Sequence, residues 1–544
     1  MSALGTNFRL HNKRLSKFWI ILLFIFSLVA CSGGAVDETT EPPADASTAP
    51  ESNESPSEPV EDIADQEMVR SGTLRVAMQP IVNIDPIAIS SDSEVLVANH
   101  VYDYLVDIDH FSNPVPRLAT DWNISDDGLT YTFTLAEGVV WHDGTSFNAG
   151  DVVWTYDRLR TTEGAPTFDL YSNIASIEAT GDLEVTFTLL KPNPFFLYDL
   201  SDNHALILKA GTVDADTKFN GTGPFIVTNY SPEDRIEMTA NENYFSAGQP
   251  HLAGLQIIFF NDDTAAVEAL RGGQIDFAMR MSTALFESLR EEPGIVTMDI
   301  PTNGFDLIRL RSDRAPGNDP RVIQALKLAT DREAILNIVQ QGYGELGNDS
   351  PIGPLYAAYH DETAIPPARD VEAARELMSE AGYGEGLQIT LHTPDTGNRP
   401  DLAAVLKEQW SEIGVDVEIS VEPESVYYAD NGWLEVDLGL TGWGSRPYPQ
   451  FYLDVMLVSD AIWNESHFSD EEFDELAAVA GTTLDEAERI QAYADIQRLL
   501  IERGPIIIPY YFAQFGAIND QFEGLNLKAF AGRTDFRTVV FSGN

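Results

Sequence analysis

Residues 118–159 (LATDWNISDDGLTYTFTLAEGVVWHDGTSFNAGDVVWTYDRL) constrain this chain most, because their pattern allows a hairpin that feeds a helix and little else. Trp122 and Ile124 precede a turn at Asp126-Asp127-Gly128, where glycine tolerates positive φ. Tyr131, Phe133 and Leu135 then alternate with Thr132 and Thr134, the period-2 pattern of a half-buried strand. Asp143-Gly144 forms a second turn, and Asn148-Ala149-Gly150-Asp151 offers caps for a helix over about 152–160. Nothing in the stretch has a catalytic spacing.

The 544 residues imply more than one domain, or one large two-lobed body with a substantial core. A net charge of −53 excludes a nucleic-acid binder, which needs a basic face for phosphates, and argues against docking on anionic lipid. Eight lysines beside 86 acids fit either adaptation to salt or a plain solvated acidic surface. A single cysteine rules out an internal disulfide and a thiolate-rich metal site.

Residues 1–30 read as an export signal, with Arg9, Lys13, Arg14 and Lys17 ahead of an apolar run too short for a permanent span. The run ends Leu28-Val29-Ala30-Cys31, which resembles a bacterial lipobox; the resemblance implies that Cys31 is acylated and becomes the mature N-terminus. Residues 31–70 are rich in Pro, Ser, Thr and acids. They bury too little apolar surface to offset ordering entropy and read as an extended acidic tether.

The 118–159 stretch as a whole resembles the signature of the family 5 extracellular solute-binding proteins, the peptide- and nickel-binding group of ABC importers. That pattern reads roughly PxLAxxWxxSxDGxxYTFxLRxGVxFHDGxxxxAxDVxxS. It is matched here by Leu118-Ala119, Trp122, Ser125, Asp127-Gly128, Tyr131-Thr132-Phe133, Leu135, Gly138-Val139, His142-Asp143-Gly144 and Asp151-Val152. Further matches are the opening strand around Leu74, Val76 and Met78 with its Asp85-Pro86 loop, and Gly221-Thr222-Gly223-Pro224-Phe225. Asn241 to Phe245, Arg271-Gly272-Gly273-Gln274-Ile275-Asp276 and the Asp319-Pro320 helix start with Asp331-Arg332 extend the likeness, which covers roughly 72–524.

The resemblance implies an α/β, two-lobed periplasmic-binding-protein fold of type II, in the large family 5 variant, with mixed sheets and a hinge between lobes. Lobe I is expected over 71–302, lobe II over 303–510, and a return to lobe I over 511–544. From the residues alone, 95–105 reads as a helix, and 257–260 as a strand buried on both faces. Alternating helices and strands over 371–419 imply crossovers and a parallel or mixed sheet. Capping boxes at Ser469-Glu472 and Thr483-Glu486 open two helices, the second carrying Ile490, Tyr493, Ala494 and Leu500-Ile501 on one face.

There is no GxSxG elbow, HExxH pair or GxxxxGK[ST] loop, and the nine His never fall as HxH or HxxxH, so the chain reads as a non-enzyme without metal or cofactor. His142 and Asp126-Asp127 read as turn residues. The informative segment is LGLTGWGSRPYPQFYL at 438–453. It resembles the family's GWxxDxxDPxxFL, whose Trp and backbone line the cleft and whose Asp meets a peptide's amino group. Here Gly442, Trp443, Gly444 and Ser445 keep the frame, Arg446 stands at the Asp position, and Tyr448-Pro449 replaces the second motif. Arg446 therefore either complements an anionic ligand or pairs with Asp437 or Asp454. Arg280 is a second cation, which either meets the ligand or forms a surface ion pair. Asn83 and Ile84 of the cleft-bordering loop, Asn303, Phe305 and Tyr511 complete the expected ligand-binding set, with Trp443, Tyr448, Phe305 and Tyr511 as stacking surfaces.

The reading is a monomeric solute receptor, anchored to the outer face of the membrane only through lipid. It captures a small-molecule or peptide-like solute and delivers it to ABC transporter permease subunits. An extracellular hydrolase or carbohydrate-processing enzyme, and a sensory co-receptor, are the alternatives. Closure about 303–305, with a return crossing near 510–511, is expected.

Overall fold

The computed structural model describes residues 70–110, 113–279 and 281–543. The expected signal, Cys31, the tether before residue 70, and Arg280 lie outside the described residues. Among the described residues, no helix is long and apolar enough to cross a membrane.

Four apolar clusters organise the body. Two hold residues before position 299 together with residues from Phe515 to Val539. The other two hold residues from Phe305 to Tyr511 with one outsider, Phe195. The fold is thus two-lobed and mixed α/β, with the chain's last part returned to the first lobe. A 12-stranded sheet runs through both. From the second lobe to the first, its main path is Val415–Glu422, Leu387–Pro394, Leu438–Trp443, Ile295–Leu310, Tyr510–Asn519, Phe277–Met279, Thr73–Met78, Gly254–Phe259, Arg235–Ala240 and Phe225–Ser231.

The sheet is mixed, as the alternation over 371–419 requires. Leu387–Pro394 lies parallel to both neighbours, whereas Leu438–Trp443 and Ile295–Leu310 are antiparallel. In Gly254–Phe259 both faces are covered: Ile257 enters one apolar cluster and Ile258 packs against another. Ile295–Leu310 and Tyr510–Asn519 cross between the lobes. Their register breaks between Pro301, opposite Ala513, and Phe305, opposite Tyr511. Thr302 Oγ1 closes the resulting bulge by donating to the Phe512 carbonyl at 2.6 Å and accepting from Gly304 N–H at 3.0 Å.

The 118–159 stretch forms the strands Ala119–Ile124 and Thr130–Leu135, joined through Gly128 at φ 66°, within a separate four-stranded sheet. Its helix, Ala149–Thr161, starts earlier than the pattern suggested, because Asn148 caps it in a box with Asp151. His142 is a turn residue, its Nε2 lying 3.0 Å from the Gly223 carbonyl. Gly221 fits nothing larger there: a Cβ would sit 1.8 Å from the Val101 carbonyl oxygen.

Several local expectations are corrected. The helix expected over 95–105 spans Asp92–Val101, since Ser91 and Glu94 form a capping box and the chain then turns to place Asp103 on Arg117. Neither later box forms. Asp470 and Asp485 are the N-caps, and their carboxylates accept the helix N–H groups in place of the Ser469 and Thr483 hydroxyls. In Glu486–Arg503, Tyr493 and Leu500 face inward with Ala492, Ile496, Gln497 and Leu499, while Ile490 is exposed. The inward face follows contacts with the helix Glu471–Thr482, which local periodicity does not specify.

The returning tail is tied down by charge. Asp107 accepts from Arg533 at 2.6 Å and Arg117 at 3.2 Å, and Arg117 also reaches Asp103 at 2.5 Å, all four groups being buried. His100 adds a neutral tie: its Nδ1 lies 2.7 Å from the Leu96 carbonyl, and its Nε2 accepts from Phe536 N–H at 3.1 Å.

Candidate functional site

The segment 438–453 leaves the sheet where the lobes meet. Leu438–Trp443 pairs with the strand Ile295–Leu310, with Trp443 opposite Phe305 and Gly442 opposite Asp306. Beneath it lies the buried pair Arg309–Glu465. The Glu465 carboxylate accepts from Arg309 Nε at 3.2 Å, Thr441 Oγ1 at 2.8 Å and Trp443 Nε1 at 3.2 Å. That acid fixes the Trp443 indole through its only donor.

After Trp443 the chain turns toward the first lobe. Ser445 Oγ accepts from Asn303 N–H at 3.2 Å, and Tyr452 donates to the Gly444 carbonyl at 2.7 Å. Tyr356 donates to the Arg446 carbonyl at 2.7 Å. The half-buried Arg446 guanidinium rests 4.6 Å above the Phe451 ring. It has no hydrogen-bond acceptor and no ion pair among the described residues. Neither proposed partner meets it: Asp437 is taken by Arg314 at 2.5 Å, and Asp454 accepts from Gln450 Nε2 at 2.7 Å.

Across the junction stands the first-lobe pair Asp202–His204, joined at 2.7 Å. Burial works against the Asp202 charge, but the His204 hydrogen bond and charge, with Arg446 behind them, hold its carboxyl below the usual range. Burial likewise opposes the His204 charge, and the Asp202 carboxylate outweighs it and raises the imidazole. Tyr448 reaches this lobe too: its hydroxyl donates to Asp199 Oδ1 at 2.8 Å, and its ring stacks on Phe195 at 5.0 Å and 14°.

The structure therefore brings Asn303, Phe305, Gly442, Trp443, Gly444, Ser445, Arg446, Tyr448 and Tyr511 together, with different duties. Phe305 and Tyr511 are fully buried and meet edge to face, and Tyr511 donates to Asn348 Oδ1 and the Ser350 carbonyl. Asn303 is equally buried, and neither atom of its side-chain amide has a hydrogen-bond partner. Asn83 and Ile84 stand on the first lobe. Asn83 N–H donates to Glu94 Oε1 at 2.6 Å, while the Ile84 side chain enters the first core. No hydrogen bond or ring contact joins these two to the other set among the described residues.

Sequence reasoning missed Arg399. Its Nε donates to Asp306 Oδ1 at 3.0 Å and its Nη1 to Thr396 Oγ1 at 2.7 Å, and Tyr510 donates to the same Asp306 at 2.6 Å. The guanidinium lies against Gly442, where a Cβ would fall 1.8 Å from Nη2. A signal was present: Arg399 opens the helix Arg399–Ser411, and a cation at a helix N-terminus opposes the macrodipole unless another partner holds it.

Among the described residues, no three His, Cys, Asp or Glu side chains converge as a metal site. The sequence model for bacterial extracellular solute-binding proteins, family 5, matches residues 113–464. The chain is 30% identical to di/tripeptide-binding protein 1 of Pseudomonas aeruginosa over 431 residues, 72% of this chain and 79% of that protein. It is 28% identical to heme-binding protein A of Haemophilus influenzae, covering 78% of this chain and 84% of the relative. Among solved structures, a dipeptide-binding protein of a Pseudoalteromonas species in complex with Met-Leu superposes with a TM-score of 0.74 at 25% identity, over 86% of this chain and all of the other. The mixed two-lobed fold, the family match and these likenesses agree: the chain belongs to the family 5 bacterial extracellular solute-binding proteins.

Proposed function

We propose that this receptor captures a small, peptide-like solute bearing an anionic group between its lobes and presents it to the permease subunits of an ABC importer. It makes and breaks no bonds in the solute. Relatives named for di- and tripeptides, heme and glutathione supply the solute class. The observation that carries the anionic preference is the unanswered Arg446 guanidinium at the junction of the lobes, in a chain whose other described arginines all have an acceptor. A partly desolvated fork of donors complements a carboxylate bidentately. Closure about 303–305 and 510–511 is supported by the broken register there, and solute drives it by touching both lobes. Anchoring through Cys31 on the outer face, and a monomeric state, complete the reading.

Mass spectrometry of solute carried through native purification identifies the class. Calorimetry then compares di- and tripeptides having free and amidated carboxyl groups. The free acids bind more tightly in this reading, and equal affinity within each pair refutes the anionic preference.

A further inference from the structure

One contact between the lobes buries a carboxyl group without a cation. Residues 193–203 of the first lobe are held by tyrosine hydroxyls of that lobe. Tyr131 donates to the Asn193 carbonyl, Tyr171 to that of Asp199 and Tyr156 to that of Leu200, at 3.0, 2.6 and 3.1 Å. So presented, Phe195 enters a core cluster of the second lobe, with Arg489 5.8 Å from its ring centre. Asp199, 5% exposed, takes a hydrogen bond from Tyr448 across the junction and one from Asn193 Nδ2 at 2.7 Å on its own side.

We propose that the Asp199–Tyr448 contact is a proton-linked latch: the lobes close most readily when the Asp199 carboxyl is protonated, so closure strengthens in acid and loosens in alkali. The inference rests on the reading of two lobes that open and close. On closing, the carboxyl takes one proton from solvent, and on opening it returns it. When ionised, the carboxylate accepts from the Tyr448 hydroxyl; when protonated, its own O–H donates to the Tyr448 oxygen.

The charges around it favour the neutral form. From its own segment come Asp202, answered by His204, and from the second lobe Asp454, with Arg446 nearer to Asp202 and Arg489 over Phe195. Tyr131, Tyr156 and Tyr171 face it as neutral phenols, and Arg533 Nη1 donates a hydrogen bond to the Ser201 carbonyl at 2.8 Å. Burial, with Asp202 and Asp454 adding to it against the Tyr448 and Asn193 hydrogen bonds, pushes the carboxyl up to about 7 from its ordinary 3.8. Opening rehydrates the group and returns it toward the ordinary value. The closed form thus gains as pH falls between those two values, by at most about tenfold per pH unit, and levels off beyond each.

The test uses the full chain without solute. Encoded azido side chains at Val213 and Ile365, 94% and 74% exposed, carry a fluorescent donor and acceptor, leaving Cys31 untouched. Energy transfer is followed from about pH 8.5 to about pH 5 beside infrared detection of protonated carboxyl. In the wild type the closed population rises as pH falls, and a carboxyl band titrates with it. Asp199→Asn abolishes the band and flattens the profile, and Tyr448→Phe lowers closure most where the carboxyl is charged. An Asp199→Asn profile that superimposes on the wild type overturns the latch. Should Asp199→Asn fail to fold, an infrared midpoint unmoved by Tyr448→Phe overturns it. Because no solute is present, a wrong assignment of solute class leaves these outcomes unaffected.

Discussion

Replacing Glu465 by alanine should destabilise the protein by about 4 kcal/mol, within the range of roughly 3–5 kcal/mol for truncating one member of a buried ion pair. Arg309 is 0% exposed and Glu465 1% exposed, so the charge left behind cannot reach water. Arg309 keeps the carbonyls of Val436 and Trp433, which accept its Nη1 and Nη2, but its Nε then faces a hole. The Thr441 hydroxyl and the Trp443 indole lose the same acceptor. Each unsatisfied neutral donor costs about 1–3 kcal/mol, but the three losses share one cavity and do not add. Glu465→Gln keeps the shape and one acceptor while turning an N–H toward a donor, so it should cost less, about 2 kcal/mol. Glu465→Leu combined with Arg309→Met removes both charges and should be milder than Glu465→Ala alone. Urea midpoints at unchanged slope read all three. If Glu465→Ala unfolds within about 0.5 kcal/mol of the wild type, or the double variant is the worst, the pair does not hold the floor of Trp443 as argued.

Arg446→Ala should leave stability within about 1 kcal/mol, since its contact with Phe451 and a longer-range attraction to the half-buried Asp202 pair are all that is lost, yet weaken solute binding by roughly 30-fold or more, with Arg446→Lys recovering part; calorimetry beside thermal melting separates the two effects. Gly442→Ala should lower both melting temperature and affinity, because the new methyl must push the Arg399 guanidinium off Asp306; Arg399→Ala in the same chain should relieve the clash. His100 is held down to about 4 by burial, so the folded state keeps it neutral while the unfolded chain protonates near 6.5. The stability tied to that neutral ring is present above 6.5 and lost as pH falls toward 4, by about 3 kcal/mol in all, and His100→Gln should flatten that part of a urea-midpoint against pH curve. Cys31→Ala should leave protein uncleaved or mislocalised on membrane fractionation while solute affinity stays unchanged.

The lobes were legible where a local pattern and a tertiary demand coincide. Tyr131, Phe133 and Leu135 alternate because one face meets the core, and Asp319-Pro320 opens its helix with a capping carboxylate and a proline that needs no N–H partner. Arg446 was legible because its sign is wrong for its position, and its lack of a partner required coordinates. The caps at Asp470 and Asp485 were misread because a hydroxyl and a carboxylate stood side by side, and only the chain's approach decides which accepts. Arg399 on Gly442, and Asp199 under Tyr448, join residues far apart in sequence. No periodicity announces such pairs, since Arg399 and Asp199 each look like an ordinary surface charge.

The strand Tyr510–Asn519 lies between Ile295–Leu310 and Phe277–Met279, and the buried Arg533 and Phe536 complete a core begun at Leu74. During synthesis, therefore, most of the first lobe emerges long before the strand that joins Phe277–Met279 to Ile295–Leu310 exists. Its sheet has an open edge beside Phe277–Met279, and Asp107 waits for Lys528, Arg533 and Arg537, hundreds of residues downstream. Contacts of such long range close slowly, because the loop entropy is spent before the pairing rewards it. The lobe that emerges first is therefore not the first whose contacts can all form.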